Sequence, residues 1–319
     1  MRVSMIAIAL ISTIGVAAAQ DYPARPINIV VPAAAGGPTD TISRITAQAM
    51  SKLLGQQITI ENAGGAGGTI GTGRVVRAEP DGYTLLIYHV GLSTAATLYR
   101  KLPYDTRTAF APIGLVTDAP MTIIGRPDLE PNSLAELLAY LKTRKLTFGN
   151  AGVGSAAHLC GMLFTSATQA QVTPVPYRGT APVMNDLIGK QIDMSCDQAT
   201  NTTNPILGRQ VKAYAVTTKA RLKSLPDVPT ADEAGLKGFE LGVWHGVFAP
   251  KGTPPAIVQK LSTALRAALK DPELARRFAE ISTEPMGDDR ATPEAAQRTL
   301  VSEIDRWAPI IKASGEYAD

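Results

Sequence analysis

The chain has 319 residues, 45% of them hydrophobic and 18% charged, with a formal net charge of +3 at pH 7. So weak a charge, with no cluster of basic residues interleaved with aromatics, argues against a nucleic-acid surface. The length exceeds one ordinary hydrophobic core, so two lobes are the expectation.

In chain order, Arg2 precedes an apolar run from Met5 to Val16, and Ala17-Ala18-Ala19 supplies a small-x-small cleavage site. This pattern predicts a signal peptide over residues 1–19, cleaved after Ala19, and hence an exported, periplasmic protein. The alternative is an uncleaved anchor, against which the shortness of the run argues. No later segment has the length and apolarity to span a bilayer.

Short β-rich runs then alternate with helical patterns, the signature of α/β architecture with parallel strands. INIVV leads through PAAAGG into a helix, TISRITAQAMSKLLG, with Ile42, Ile45, Ala49 and Leu53 on one face and Gly55 at its C-terminal cap. ITIEN is a second strand, GRVVRA is helical, and TLLIY ends a third strand near His89. FAPIGLVT (110–117) and MTIIGRP (121–127) read as two consecutive strands able to cross between lobes. SLAELLAYLKTR is a helix with Asn132 or Ser133 as N-cap. LTFGN, TPVPY, QIDMSCD and VKAYAVTT are strands, interleaved with helices over LCGMLFTSA and APVMNDLIG. FELGVWHGVFAP returns as a strand, and the remainder is helical. The topology predicts a lobe built from 20–120 and 246–319, a second lobe from 121–245, and a cleft between them. Ligands in such sheets bind beyond the carboxyl ends of the strands.

Two glycine turns occupy strand-to-helix positions, VPAAAGGPTD and GNAGVGSAAH, and aim backbone N–H groups at one rim. Phosphate is one candidate for such turns. No GxxxxGK[ST] motif exists, however, and Gly152-x-Gly154-x-x-Ala157 lacks the acidic partner of a dinucleotide fingerprint. Small planar anions, carboxylates among them, suit two short turns equally well. His89, His158 and His245 have no metal-ligand spacing, so no metal site or cofactor is expected. His158 can serve a bound anion or simply cap and pack. Ser155 has His158 nearby as a base, but GVGSAAH is not a nucleophile elbow. A hydrolase would also need an oriented acid, for which Asp197 is the one candidate. Arg178, after a strand in VPYRG, suits bidentate carboxylate recognition or a plain surface role. Cys160 and Cys196 either form a disulfide, as an oxidising compartment favours, or stand as two buried thiols.

Pro-x-x-x-Gly-Gly-Pro-x-Asp at 32–40, NAGGAGGTIG, PDGYTLL, LPYD, GNAGVGSAAHL, VPYRGTAPVMNDLIGKQIDM, LPDVPTADEAG and GVFAPKGTP together resemble the Bug family. These are the extracytoplasmic solute receptors of tripartite tricarboxylate transporters. The similarity runs from about Tyr22 to the C-terminus. It implies a type II periplasmic-binding-protein fold, a two-strand hinge, and closure over a carboxylated ligand, with no catalytic chemistry. Carried onto this chain, the first grip matches Ala35, Gly36, Gly37, Thr39 and Asp40, and the second Gly152, Gly154, Ser155 and His158. Tyr177, Arg178, Gly179 and Asp197 match positions at the rim of the second lobe, and His89 completes the expected ligand-binding set. The paired cysteines resemble a subgroup of the family. One departure stands out: DQATNTTN (197–204) replaces the Asp-x-x-Pro-Ser of many members. The resemblance implies a monomer that binds a di- or tricarboxylate or an aromatic acid and presents it to membrane permease subunits. A sensor kinase is the alternative partner, and a Ser155/His158 hydrolase or lyase the alternative class.

Overall fold

The computed structural model describes residues 22–318. The expected signal peptide lies outside the described residues. Among the described residues no helix is long and apolar enough to cross a membrane.

Strand β1 (Ile27–Val31) is buried almost throughout and pairs in parallel with β2 (Ile58–Asn62) and β3 (Thr84–His89). Helix α1 (Pro38–Leu54) crosses from β1 to β2, starting on Gly37 with proline in its first turn and ending on left-handed Gly55. Ile42, Ile45 and Ala49 are buried as their spacing requires; Leu53, in the last turn, is instead 52% exposed, and Met50 is the buried residue there. Helices α2 (Thr69–Val76) and α3 (Gly91–Leu98) complete this side. The sequence pattern had no place for α3, which is rich in glycine, serine and threonine. It forms because its apolar positions dock on α10 (Pro293–Ser314), so packing overrides weak propensity.

The second half repeats the motif. Strands β5 (Leu146–Asn150), β6 (Val172–Pro176) and β7 (Met194–Gln198) are parallel, with α5 (Ala156–Thr168) and α6 (Thr180–Ile188) as crossovers. Helix α4 (Leu134–Tyr140) precedes them. Of the two N-cap candidates Ser133 caps it, accepting from Glu136 N–H at 3.2 Å, while the Glu136 carboxylate accepts from the N–H of Asn132, the residue before the cap, at 2.7 Å. After β7 the chain forms α7 (Ala199–Leu207), where the sequence suggested only a polar turn, and then β8 (Lys212–Val216).

Where two strands were expected at 110–127, one 16-residue strand, β4 (Phe110–Gly125), runs unbroken. Its first part pairs antiparallel with β9 (Gly242–Pro250), as far as Pro120 opposite Gly242; from Met121 onward it pairs with β7 and β8. Pro120 therefore sits where β4 changes partners, so its missing N–H falls between two ladders and does not interrupt either. Register shifts at Pro112/Gly114 and Leu115/Thr117 absorb the remaining irregularity. The resulting order is β2-β1-β3-β9-β4-β7-β5-β6, with β8 beside β4. The parallel pairs lie in the two outer parts, and every antiparallel pair involves β4 or β9. Helices α8 (Pro255–Ala268) and α9 (Pro272–Glu280) return to pack on α1, and α10 packs on β4.

Of the two readings of the cysteines, the bridge is the one formed: Cys160 on α5 joins Cys196 on β7, with Cα atoms 6.0 Å apart. Closing a loop of this length is worth about 3–4 kcal/mol in the chain-entropy account.

Candidate functional site

A cleft of about 780 Å³ lies between the two halves, beyond the carboxyl ends of their parallel strands. Five helices begin on it. The N-cap residues of α1 (Gly37), α2 (Gly68), α5 (Ser155), α6 (Gly179) and α7 (Gln198) all line the cavity. Only Ser155 uses its side chain as a cap, accepting from His158 N–H at 3.2 Å. The other four helices keep first-turn N–H groups uncapped by their N-cap side chains, and the positive ends of their dipoles favour an anion.

The turn after β1 is held from behind. Asp40 accepts from Gly36 N–H at 2.9 Å, Arg44 Nε at 3.0 Å and Asn62 Nδ2 at 3.0 Å. Burial alone would raise its carboxyl, but these bonds outweigh that and hold its pKa below the usual range. Asp40 is therefore saturated scaffolding behind the wall. Ala35, Gly36 (φ +76°) and Asp40 form the back of the turn, while Gly37 and Thr39 line the cavity.

Thr39 is tied to the hinge. Its hydroxyl donates to His245 Nε2 at 3.3 Å, because His245 Nδ1–H already donates to Val243 O at 2.9 Å. Burial brings the His245 pKa down to about 4, so the ring is neutral. Opposite it in the β3–β9 ladder, His89 lines the cavity with its ring 5.6 Å from that of His245. Burial and then the His245 neighbour hold His89 well below the ordinary histidine value. Its Nδ1 accepts from Gly91 N–H at 3.0 Å, which leaves the proton on Nε2. His89 is thus a neutral donor on the cleft wall.

In the second turn, Gly152 (φ +105°) and Ser155 line the cavity, whereas Gly154 and His158 lie behind it. His158 does not face the Ser155 hydroxyl through its ring. Its Nδ1 accepts from Gly154 N–H at 3.4 Å and its Nε2–H donates to Glu316 at 2.9 Å, so the pair lacks the base-to-nucleophile bond a hydrolase needs. Tyr177, Arg178 and Gly179 all line the cavity. The Tyr177 hydroxyl donates to Asp186 at 2.6 Å, and burial, then Asp186, pushes its pKa up to about 12. Arg178 is exposed on the cleft wall. Asp197 lines the wall fully buried; it accepts from Gln198 N–H at 2.8 Å and Asn201 Nδ2 at 2.7 Å, and burial raises its pKa to about 6.

Sequence reasoning missed much of the wall. The loop Gly64–Gly68, Tyr88, Tyr99, Thr180, Gln198 and Ala318 all line the cavity. The glycine loop repeats the strand, glycine turn, helix pattern after β2, a signal available in NAGGAGGTIG. The tyrosines and Ala318 carry no such signal, because only the fold brings them there. Ala318 arrives on a C-terminal strap. Gly315 (φ +70°) ends α10, Glu316 binds His158, the Tyr317 ring lies 4.8 Å from the Arg100 guanidinium, and Ala318 N–H donates to Leu98 O at 2.9 Å.

The halves meet across the cleft. A Cβ at Gly179 would lie 3.0 Å from Ala34 Cβ, and one at Gly67 2.7 Å from Val153 O. This is a closed arrangement, and among the described residues no cluster of histidine, cysteine and carboxylate groups is arranged to hold a metal.

Two lobes on paired crossover strands, enclosing a cleft ringed by helix N-termini, define a periplasmic binding protein of type II. The family model described as "Tripartite tricarboxylate transporter family receptor" matches residues 42–316, and the chain belongs to that family. It is 52% identical over 321 residues, covering 99% of this chain and 93% of its relative, to the "UPF0065 protein in the TAR-I ttuE-ttuC' intergenic region" of Agrobacterium vitis. Among solved structures it is similar to the periplasmic binding protein BugD, with 50% identity, a TM-score of 0.88, and coverage of 93% of this chain and 99% of that one. It is also similar to MatC from Rhodopseudomonas palustris with bound malate, with 38% identity, a TM-score of 0.86, and coverage of 91% and 100%. The chain is thus a solute-binding receptor of the Bug type.

Proposed function

We propose that this receptor captures a small carboxylated organic acid in the periplasm and presents it to the permease subunits of a tripartite tricarboxylate-type transporter. The convergence of five helix N-termini on one closed cleft carries the reading. That arrangement offers many backbone donors, a neutral His89 and, among the described residues, a single cleft-lining arginine, Arg178, which suits a carboxylate held mainly by dipoles. Family membership supports the transporter as partner, and the malate in MatC supports an acid of this size. The expected leader, cleaved after Ala19, would deliver the mature chain as a soluble monomer without catalytic activity.

The lobes divide at residues 20–120 with 246–319 and at 121–245, a division supported by the change of ladder partners at Pro120/Met121. Closure then couples occupancy to recognition by the permease, since the ligand binds the closed form better. A thermal-shift screen of the mature protein against aliphatic and aromatic mono-, di- and tricarboxylates tests the reading, because binding to the native state raises the midpoint. Stabilisation by at least one acid, lost in Gly152→Val, is expected. Failure of every acid to shift the midpoint would sink the proposal.

A further inference from the structure

Helix α7 begins on the cleft at Gln198 and packs along β4. Two adjacent buried threonines hold it there. The Thr202 hydroxyl lies 2.8 Å from that of Thr122, on the part of β4 that pairs with β7 and β8. The Thr203 hydroxyl lies 2.7 Å from that of Ser282, also buried, which follows α9 in the other lobe.

The backbone at Ser282 gives this pair its meaning. Helix α9 ends in a Schellman motif: Ser282 N–H donates to Ala279 O and Thr283 N–H to Phe278 O, each at 3.0 Å. The turning residue of that motif takes left-handed backbone, which glycine adopts freely, yet here it is serine at φ +57°. Ending the helix gives no reason for a side chain at this position. The side chain present reaches across to Thr203.

The two partners are fixed to β4 on opposite sides of the crossing at Pro120/Met121. Just past Ser282, the Thr117 hydroxyl accepts from Thr283 and donates to Glu284 O, both at 2.6 Å, and Met286 N–H donates to Val116 O at 2.8 Å. Thr122 holds α7 on the far side of the crossing. A bend of β4 between Thr117 and Thr122 therefore moves Ser282 relative to Thr203, and a displacement of about 1 Å is enough to break a hydroxyl–hydroxyl bond.

We infer that the Thr203–Ser282 pair is a latch of the closed form: the end of α9 in one lobe sets α7 of the other, and with it the helix N-terminus at the cleft, in the place the bound acid meets. Both are positioning residues and neither lines the cavity. The inference rests on the carboxylate reading and the lobe division proposed above, and adds a closing contact outside the cleft.

Ser282→Gly separates the latch from the fold, because glycine suits the left-handed backbone while the hydroxyl is lost. Thr203→Val keeps the shape of the side chain it replaces. Each variant, and the two combined, is titrated calorimetrically with whichever of succinate, malate, glutarate, citrate and benzoate most raises the thermal midpoint of the wild type. Ser282→Gly should bind that acid about fivefold more weakly, the scale of one hydrogen bond, while its unliganded midpoint stays at or above that of the wild type. Thr203→Val should weaken binding equally, and the double variant no further, since all three remove the same bond. Wild-type affinity in Ser282→Gly overturns the inference and leaves the carboxylate reading standing. So do additive losses in the double variant, or an unliganded midpoint of Ser282→Gly that falls together with its affinity, which would make the pair part of the fold alone. Absence of binding by every acid overturns both.

Discussion

The Nε2–H of His158, near the start of α5, donates to the carboxylate of Glu316 in the C-terminal strap, 2.9 Å away. The bond joins the two lobes, because Glu316 follows α10 and the strap is anchored on α3 through Ala318 N–H to Leu98 O at 2.9 Å. His158, expected as a direct ligand contact, has both ring nitrogens engaged by protein groups, Gly154 N–H and Glu316, behind the cavity wall. Truncation after Ser314 should therefore weaken acid binding about three- to tenfold, since a half-exposed charged hydrogen bond and a piece of cleft wall are lost together. Calorimetry reads the affinity, and small-angle scattering of the unliganded protein should show a larger radius. Unchanged values in both would show that the strap is merely resting on the surface.

Gly179 offers a test of closure at the point where the lobes touch beside the cavity. It caps α6 at φ +116°, and a Cβ there would lie 3.0 Å from Ala34 Cβ in the opposite lobe. Gly179→Val adds strain in the left-handed region and bulk between the lobes. Binding should fall at least tenfold while far-ultraviolet circular dichroism stays native. Retained wild-type affinity would mean that the lobes close by a route other than Ala34 against Gly179.

The Cys160–Cys196 bridge ties α5 to the end of β7, so it fixes two parts of the cleft wall relative to each other. Reduction, or the Cys160→Ser/Cys196→Ser pair, should cost about 3–4 kcal/mol of stability if loop entropy dominates. Chemical denaturation with and without reductant measures it. A difference below ~1 kcal/mol would place the constraint in the unfolded state at far less than that account gives.

Most of the strand and helix order is legible in the sequence, because β1, β5 and the crossover helices have apolar patterns that local rules read. The failures have physical causes. α3 and α7 are built from residues of poor helix propensity and exist through docking on α10, β4 and β7. The runs 110–117 and 121–127 read as two strands, and only the change of ladder partners at Pro120/Met121 lets them form one strand, with the proline's missing N–H falling between the ladders. In the cleft the glycine turns were readable as turns. Which of their residues face inward was not: Asp40 and His158 carry eye-catching chemistry, yet both point it at protein partners. Gln198 and Ala318 face the cavity with no motif to announce them.

Stability should fall on mild acidification, and the sign follows from the buried histidines. His245 is held at about 4 and His89 well below its ordinary value, each chiefly by burial. Between the unfolded value near 6.5 and the depressed folded values, the unfolded chain binds more protons, so stability is present above that window and is lost as pH falls through it. For His245 alone the full shift corresponds to about 3 kcal/mol. Asp197 opposes this: its folded value of about 6 exceeds the unfolded one, so the folded state holds the extra proton and gains relative stability as pH falls from about 6 to 4. Asp118, also raised chiefly by burial, acts in the same sense as Asp197, but with Asp197 alone pushed as far as about 6 the two histidines outweigh the two carboxylates and leave a net loss from pH 7 to pH 5. The thermal midpoint should drop over that range, and His245→Gln should flatten the slope by up to one proton. A midpoint that rises or holds level between pH 7 and pH 5 in the wild type would show that the His89–His245 pair does not stay neutral in the folded protein.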